Sequence, residues 1–188
     1  MGVTDIVFNK HCKQYFVDSI SILELGAQEY IANGVSVGYF SNIFKEYNIK
    51  SIDLNGENSA LRLDLAKDIN TKEHYDLISN FGTSEHVSDQ YTCWKNIHDL
   101  LSDGGIVISE LPEKGSWKGH CKYYIDYSFM KVMSKDFEII DYRSTYYPPN
   151  GYLSFSILKK KSQTFLTTRE ELEDTIFVDH DTIDKISF

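Results

Sequence analysis

At 188 residues, with 41% hydrophobic and 25% charged residues, the chain has the make-up of one globular domain able to bury a full core. A net charge of −9 argues against nucleic acid or an anionic membrane as the main partner, because both require a basic surface. Cys12, Cys93 and Cys121 form no CxxC pair, which argues against a disulfide framework or zinc knuckle and fits reduced thiols in a cytoplasm. No basic segment leads into an apolar run at the start, so no signal peptide is expected, and no apolar run nears the ~20 residues that span a bilayer.

In chain order, Ile20-Ser21-Ile22-Leu23-Glu24-Leu25 is an apolar run ending at Gly26 and reads as a buried parallel strand. After a loop containing Gly34, the segment 35–47 places Phe40, Ile43, Phe44 and Tyr47 on one face of a predicted helix. Lys50-Ser51-Ile52-Asp53 is a second strand, stopped by Asn55-Gly56, and Leu61-Arg62-Leu63-Asp64-Leu65 alternates as a third. A fourth strand over 76–79 runs into a polar turn. The turn opens a helix with Val87, Tyr91, Trp94, His98 and Leu101 on one stripe, stopped at Asp103-Gly104-Gly105. Ile106-Val107-Ile108-Ser109 is the fifth strand, closed by Pro112, and Ile125, Phe129, Val132 and Met133 mark another helix. The short joint Pro148-Pro149-Asn150-Gly151 makes the strands at 137–146 and 152–158 antiparallel. Thr168-x-x-Glu171 has the spacing of a capping box. The pattern predicts a doubly wound α/β fold: a Rossmann-like, seven-stranded, mostly parallel sheet with an antiparallel C-terminal hairpin. It would occupy residues 1–161, with the acidic stretch 162–188 docked on it or part of it.

In such a sheet, ligands bind at the carboxyl ends of the strands. Gly26 lets the backbone approach a ligand closely. Asp53, with Leu54 beside it, ends the second strand, where a carboxylate can accept from both hydroxyls of a ribose. Asp64 and Leu65 could meet an adenine ring, the first through its carboxylate and the second through its N–H. Taken singly, Glu24 reads equally as a buried carboxylate capping the next element, and Asp53 and Asp64 as solvated turn residues.

With these residues in order, the chain resembles the class I S-adenosylmethionine-dependent methyltransferases over residues 20–158. The resemblance rests on Ile22-Leu23-Glu24-Leu25-Gly26-Ala27, Ser51-Ile52-Asp53, Leu63-Asp64-Leu65 and the run from Asp76 to Pro112. Within that run, Ser84-Glu85-His86-Val87 and Leu100-Leu101-Ser102-Asp103-Gly104-Gly105 are similar to the "LEHV…LKPGG" signature of small-molecule methyltransferases, ubiquinone-pathway O-methyltransferases among them. The resemblance implies S-adenosylmethionine as cofactor. Glu24 would orient the glycine loop or bind the methionine amine through water, and Gly26 and Ala27 would pass beside the cofactor. Asp53 would hold ribose, and Asp64 and Leu65 adenine. Asn80, Phe81 and Gly82 would run beneath the sulfonium. One departure stands out: Gln28 and Tyr30 occupy the second and third glycine positions of the E-x-G-x-G-x-G pattern. Their side chains would crowd the methionine moiety or replace its backbone contacts.

Methyl transfer from a sulfonium needs mainly alignment, worth ~7–11 kcal/mol, and a hydroxyl acceptor also needs a base, worth ~10²–10⁴-fold. His86 and His120 are the candidate bases, with Glu85 beside the first. At a helix N-terminus His86 would be held neutral. Read structurally, His86 only fixes the turn, Glu85 is a favourable first-turn carboxylate, and the loop holding Trp117 and His120 is a surface loop. Glu85, His86, His120 and Cys121 offer ligand types without the spacing of a known cage, so no metal is expected. The expectation is a cytoplasmic enzyme methylating an oxygen or nitrogen of a small-molecule or sugar-like acceptor. With little chain before the first strand, the loop 112–124 and the stretch 162–188 are left to close the site. Such a short lid favours an acceptor borne on something larger, such as a glycan. Two alternatives remain open. One is a retired methyltransferase-fold binding module, and the other an enzyme using the cofactor for other chemistry such as cleavage.

Overall fold

A computed structural model describes residues 2–180. β1 (Val3–Thr4) leads into α1 (Asp5–Val7) and two further helical turns, Phe8–Cys12 and Lys13–Tyr15. Then follow β2 (Ser21–Leu25), β3 (Glu29–Ala32), β4 (Val35–Tyr39), α2 (Phe40–Ile43), β5 (Asn48–Asp53), β6 (Leu61–Arg62) and β7 (Tyr75–Phe81). The second half holds α3 (Gln90–Leu100), β8 (Leu101–Pro112), β9 (Tyr123–Tyr124), α4 (Tyr127–Met133), β10 (Phe137–Tyr147), β11 (Gly151–Lys160), α5 (Arg169–Glu173) and β12 (Phe177–Val178). Among the described residues, no helix is long and apolar enough to cross a membrane.

Seven strands make the main sheet in the order β10-β11-β8-β7-β2-β5-β6. β8, β7, β2, β5 and β6 run parallel, and β11 and β10 close the edge antiparallel. The central strands are buried along most of their length because both faces are covered, with polar residues such as Asn80 and Ser109 toward their carboxyl ends. Side chains alternate between the faces: Leu23, Ile78 and Val107 pack with Trp94, Phe129 and Leu172, while Ile22, Leu77 and Ile108 pack with Phe8, Phe40 and Phe155. This is the predicted doubly wound architecture.

Three predicted elements differ. The segment 35–47 is not one helix. It holds β4, the four-residue α2 and an irregular turn, and β4 pairs back on β3 in a three-stranded sheet with β1. Asn33 (φ 51°) and Gly34 (φ 77°) are both left-handed, which suits the two-residue hairpin turn that Asn-Gly favours. Phe40, Phe44 and Tyr47 still share one cluster with Phe8 and Phe16, so the apolar spacing reported a common core and not a helix. The third strand is only Leu61–Arg62, leaving Asp64 and Leu65 in a turn. The helix α3 stops at Leu100 because Leu101 already pairs with Tyr75, and Gly104 (φ 72°) lies in the irregular stretch before Ile106 meets Leu77.

The stretch after β11 folds against α3 and α4. Thr168 and Glu171 form the capping box: Thr168 Oγ1 accepts from the Glu171 N–H at 3.3 Å, and Glu171 Oε2 accepts from the Thr168 N–H at 3.0 Å. Leu172 is buried in the main core, Arg169 grips Asp89 with two bonds of 2.9 and 3.0 Å, and β12 pairs with β9. Residues 181–188 lie outside the described part of the acidic stretch.

Candidate functional site

The carboxyl ends of β2, β5 and β7 open onto a cleft of about 320 Å³. Of the sequence-predicted residues, Gly26, Gln28, Asp53, Leu54, Asp64, Leu65, Gly82 and His86 line it. Thr83 also lines it, and the sequence reading had not singled that residue out. Glu24, Ala27, Asn80, Phe81, Glu85 and His120 are not on its wall.

Asp53 ties two loops together before any ligand arrives. Its Oδ2 accepts from the Ala27 N–H at 3.3 Å, and its Oδ1 from the Asn55 N–H at 2.7 Å. Asp64 accepts from the Ala66 N–H at 3.0 Å and lies 3.2 Å from Lys67 Nζ. Glu24 is buried behind the loop, where Ser51 Oγ donates to it at 2.5 Å and the Gln28 N–H at 3.3 Å. Burial pushes its carboxyl up to about 7.

The glycine loop is where this chain differs most from its pattern. Gln28 Nε2 donates to Thr83 Oγ1 at 2.6 Å and to the Leu25 carbonyl at 3.4 Å. A Cβ placed on Gly26 would meet both Gln28 Nε2 and Thr83 Oγ1 at 2.6 Å. The Gln28 amide therefore fills the space directly over Gly26, which that glycine (φ 73°) keeps open. Tyr30 turns away: it is buried edge-on to Phe44, 5.0 Å between ring centres, on the far side of the hairpin.

The next turn is built from buried polar groups. Asn80 Nδ2 donates to Ser84 Oγ at 2.8 Å and Ser109 Oγ at 3.3 Å, while its Oδ1 accepts from the Ser84 N–H at 3.1 Å. These bonds pin Ser84–His86 into a single 3-10 turn. The helix itself begins at Gln90, where Asp89 caps it by accepting from the Thr92 N–H. Glu85 and His86 thus precede the helix and do not sit in its first turn, which corrects the helix-terminus setting expected for both. Phe81 packs into the core.

The fold brings Glu85, His86 and His120 together although their loops are separated by all of α3 and β8. The His86 and His120 rings meet edge to face, 5.1 Å between centres. Beneath them Glu85 is 3% exposed, its Oε1 lying 3.7 Å from His86 Nε2 and 3.9 Å from His120 Nε2. Among the described residues no side chain donates to either Glu85 oxygen, and His120 Nε2 has no partner among them. Burial pushes Glu85 up to about 8 and holds His120 below its ordinary value. Both shifts favour the neutral pair. Cys121 is buried, its thiol pushed up to about 12 by burial, which leaves it a poor nucleophile.

Sequence reasoning missed Glu110, a further buried acid, on β8. Tyr147 Oη donates to it at 2.9 Å, and burial pushes it up to about 7. A carboxylate inside the apolar run 106–112 was the signal for it.

Neither a family model nor a curated protein matches this sequence. Solved structures do match its shape. 1,6-Didemethyltoxoflavin-N1-methyltransferase of Burkholderia thailandensis, solved with 1,6-didemethyltoxoflavin and S-adenosylhomocysteine, is 14% identical with a TM-score of 0.56. That match covers 77% of this chain and 72% of the other. The fold is that of the S-adenosylmethionine-dependent methyltransferases. The N-methyltransferase NodS of Bradyrhizobium japonicum, in complex with S-adenosylhomocysteine, is 11% identical at a TM-score of 0.57, covering 76% of this chain and 79% of that one. The [4+2]-cyclase SpnF is also 11% identical, at 0.59, covering 83% and 78%.

Proposed function

We propose that this chain is an S-adenosylmethionine-dependent methyltransferase acting on an oxygen or nitrogen of a small-molecule or sugar-like acceptor. The observation that carries the reading is one cleft, at the strand ends of this fold, walled by Asp53, Leu54, Asp64 and Leu65 in the order expected for ribose and adenine. Its volume of about 320 Å³ falls at the small end of the ~300–1,000 Å³ usual for small-molecule sites. The cofactor would supply a methyl group activated on a sulfonium. Asp53, fixed by the Ala27 and Asn55 amides, would accept from the ribose hydroxyls. Asp64 and the Leu65 amide would take the adenine edge. His86, on the cleft wall, would accept the acceptor's proton at the ring nitrogen turned away from Glu85, whose Oε1 lies 3.7 Å from its Nε2. Free, buried cysteines support a reducing, cytoplasmic setting.

The Gln28 amide over Gly26 favours a second reading, a methyltransferase-fold module that binds cofactor weakly and has lost catalysis. SpnF carries the same fold under a cyclase name, so other chemistry is a third. Calorimetric titration with S-adenosylmethionine and S-adenosylhomocysteine tests the first: absence of binding at millimolar ligand sinks it. Tight binding with no methyl transfer across an acceptor panel supports the module. Products other than S-adenosylhomocysteine from cofactor alone would reveal cleavage.

A further inference from the structure

We propose that Glu85, His86 and His120 form a binding site for a divalent first-row transition ion of the zinc type. One ligand atom from each lies within 4.8 Å of the other two. Zinc bonds of about 2.0–2.1 Å in a tetrahedral shell put ligand atoms roughly 3.3 Å apart. The Glu85–His86 and Glu85–His120 separations of 3.7 and 3.9 Å are close to that. The histidine side chains are 24% and 28% exposed, so small rotations can close the remainder. Two imidazoles and one carboxylate suit zinc, iron or manganese and not magnesium or calcium, which prefer all-oxygen shells.

The stronger argument is the carboxylate. A buried carboxylate without a hydrogen-bond donor is costly and must be either protonated or paired with positive charge. Glu85 is buried with both oxygens unsatisfied, and His120 Nε2, also unsatisfied, lies on the same side. Among the described residues no side chain supplies the missing donor, whereas a divalent ion would satisfy both oxygens and His120 Nε2 at once. Three protein ligands would leave an open coordination position. His86 faces the cofactor cleft, and His120 faces a neighbouring cavity of about 650 Å³ walled by Trp117, Lys118 and Asn150. The open position would thus lie where an acceptor's oxygen could reach it. That use rests on the methyl-transfer reading and would put the ion in place of His86 as the group that takes up the acceptor oxygen's charge; binding of the ion rests on neither.

The test uses the untagged full chain, stripped with chelator and titrated with Zn²⁺ by calorimetry and with Co²⁺ by visible absorption. One ion per chain is expected, with cobalt d–d bands. Glu85→Gln and His120→Ala should each weaken binding by more than the ~10–100-fold typical of losing an outer-shell partner. Absence of stoichiometric binding to the wild type at millimolar ion overturns the proposal. So does binding that neither substitution weakens, or a cobalt–thiolate charge-transfer band, which would place the ion on a cysteine. If Glu85→Gln does not fold, the wild-type stoichiometry and His86→Ala, at a part-exposed ring, decide in its place. A parallel titration with S-adenosylhomocysteine in chelator separates the two ideas. Cofactor binding without ion binding defeats only the metal site, and ion binding without cofactor binding defeats only the methyltransferase reading.

Discussion

Replacing Glu85 by glutamine should make the protein more stable at high pH and change it little at low pH. The amide keeps the shape of the side chain and removes its proton. In the folded protein burial raises the Glu85 carboxyl from about 4.5 to about 8. Below the lower value both folded and unfolded chains hold the proton, so nothing depends on pH. Between the two values the unfolded chain has released the proton and the folded chain keeps it. Stability then falls as pH rises, by about 1.4 kcal/mol per pH unit for this one group. Across the interval from 4.5 to about 8 that slope sums to about 5 kcal/mol, an upper bound that relaxation of the site would reduce. Glu24 and Glu110, each raised to about 7, tilt the wild-type curve the same way and remain in the variant. Among the described residues, His86 and His120 lie within 4 Å of Glu85, and the Cys93 and Cys121 thiols feel its charge. Burial lowers His120, so that residue contributes stability lost only as pH falls through the ordinary imidazole range. Urea unfolding at pH 5, 6, 7 and 8, in chelator, measures the difference between Glu85→Gln and wild type. The gap should open by several kcal/mol in favour of the variant between pH 5 and 8. Parallel curves would refute the reasoning, because they would mean that Glu85 is already ionised in the fold and paired with an imidazolium.

Gln28→Gly should tighten S-adenosylhomocysteine by opening the space over Gly26, read by calorimetry. The same change removes the bonds to Thr83 and Leu25, worth ~0.5–1.5 kcal/mol each, so urea unfolding should show a loss of stability while affinity rises. If His86 is the base, His86→Ala should lower kcat for a hydroxyl acceptor by ~10²–10⁴-fold and leave the KM for cofactor unchanged. A rise in that KM with kcat unchanged would instead show that His86 serves only as cleft wall and not as the base.

What the sequence disclosed follows from how each feature is encoded. β2, β7 and β8 are buried on both faces, so their apolar runs stand out without partners. Asp53 and Asp64 share the cleft because β5 and β6 run parallel and the chain leaves both at one edge of the sheet. The 35–47 segment failed because two signals competed. Phe40, Phe44 and Tyr47 have helical spacing, yet Asn33-Gly34 with Val35 and Val37 alternating specifies a hairpin, and the turn's backbone geometry won. Residues 3–16 show no period because they form a two-residue strand and short helical turns that gain stability only through Phe8 and Phe16 in the shared cluster. The meeting of Glu85 with His120 had no local trace. It depends on where β8 delivers its following loop, which is a property of the assembled sheet.

The hairpin has a consequence for the cofactor that can be measured. In doubly wound folds the loop after the first strand opens a helix, whose free N–H groups hold a ligand's anionic end. Here the chain after Gly26 enters β3. The four-residue α2 begins only after β4, and its first amide, that of Phe40, already donates to the Gln28 carbonyl at 2.8 Å. Among the described residues no helix opens directly after Gly26, and on the proposed reading Gln28 would stand in the path of the cofactor's amino-acid tail. Asp53, Asp64 and Leu65, which would hold the nucleoside on the proposed reading, line the cleft. Affinity should therefore reside in the nucleoside. 5′-Methylthioadenosine, which lacks the amino-acid tail, should bind within about tenfold of S-adenosylhomocysteine, a difference below ~1.4 kcal/mol. In Gln28→Gly the gap should widen, because only the longer ligand gains from the space released. If S-adenosylhomocysteine binds the wild type more than about 100-fold tighter, by ~2.7 kcal/mol, the tail is firmly held after all. The Gln28 amide would then be a ligand for the amino acid and not its obstruction.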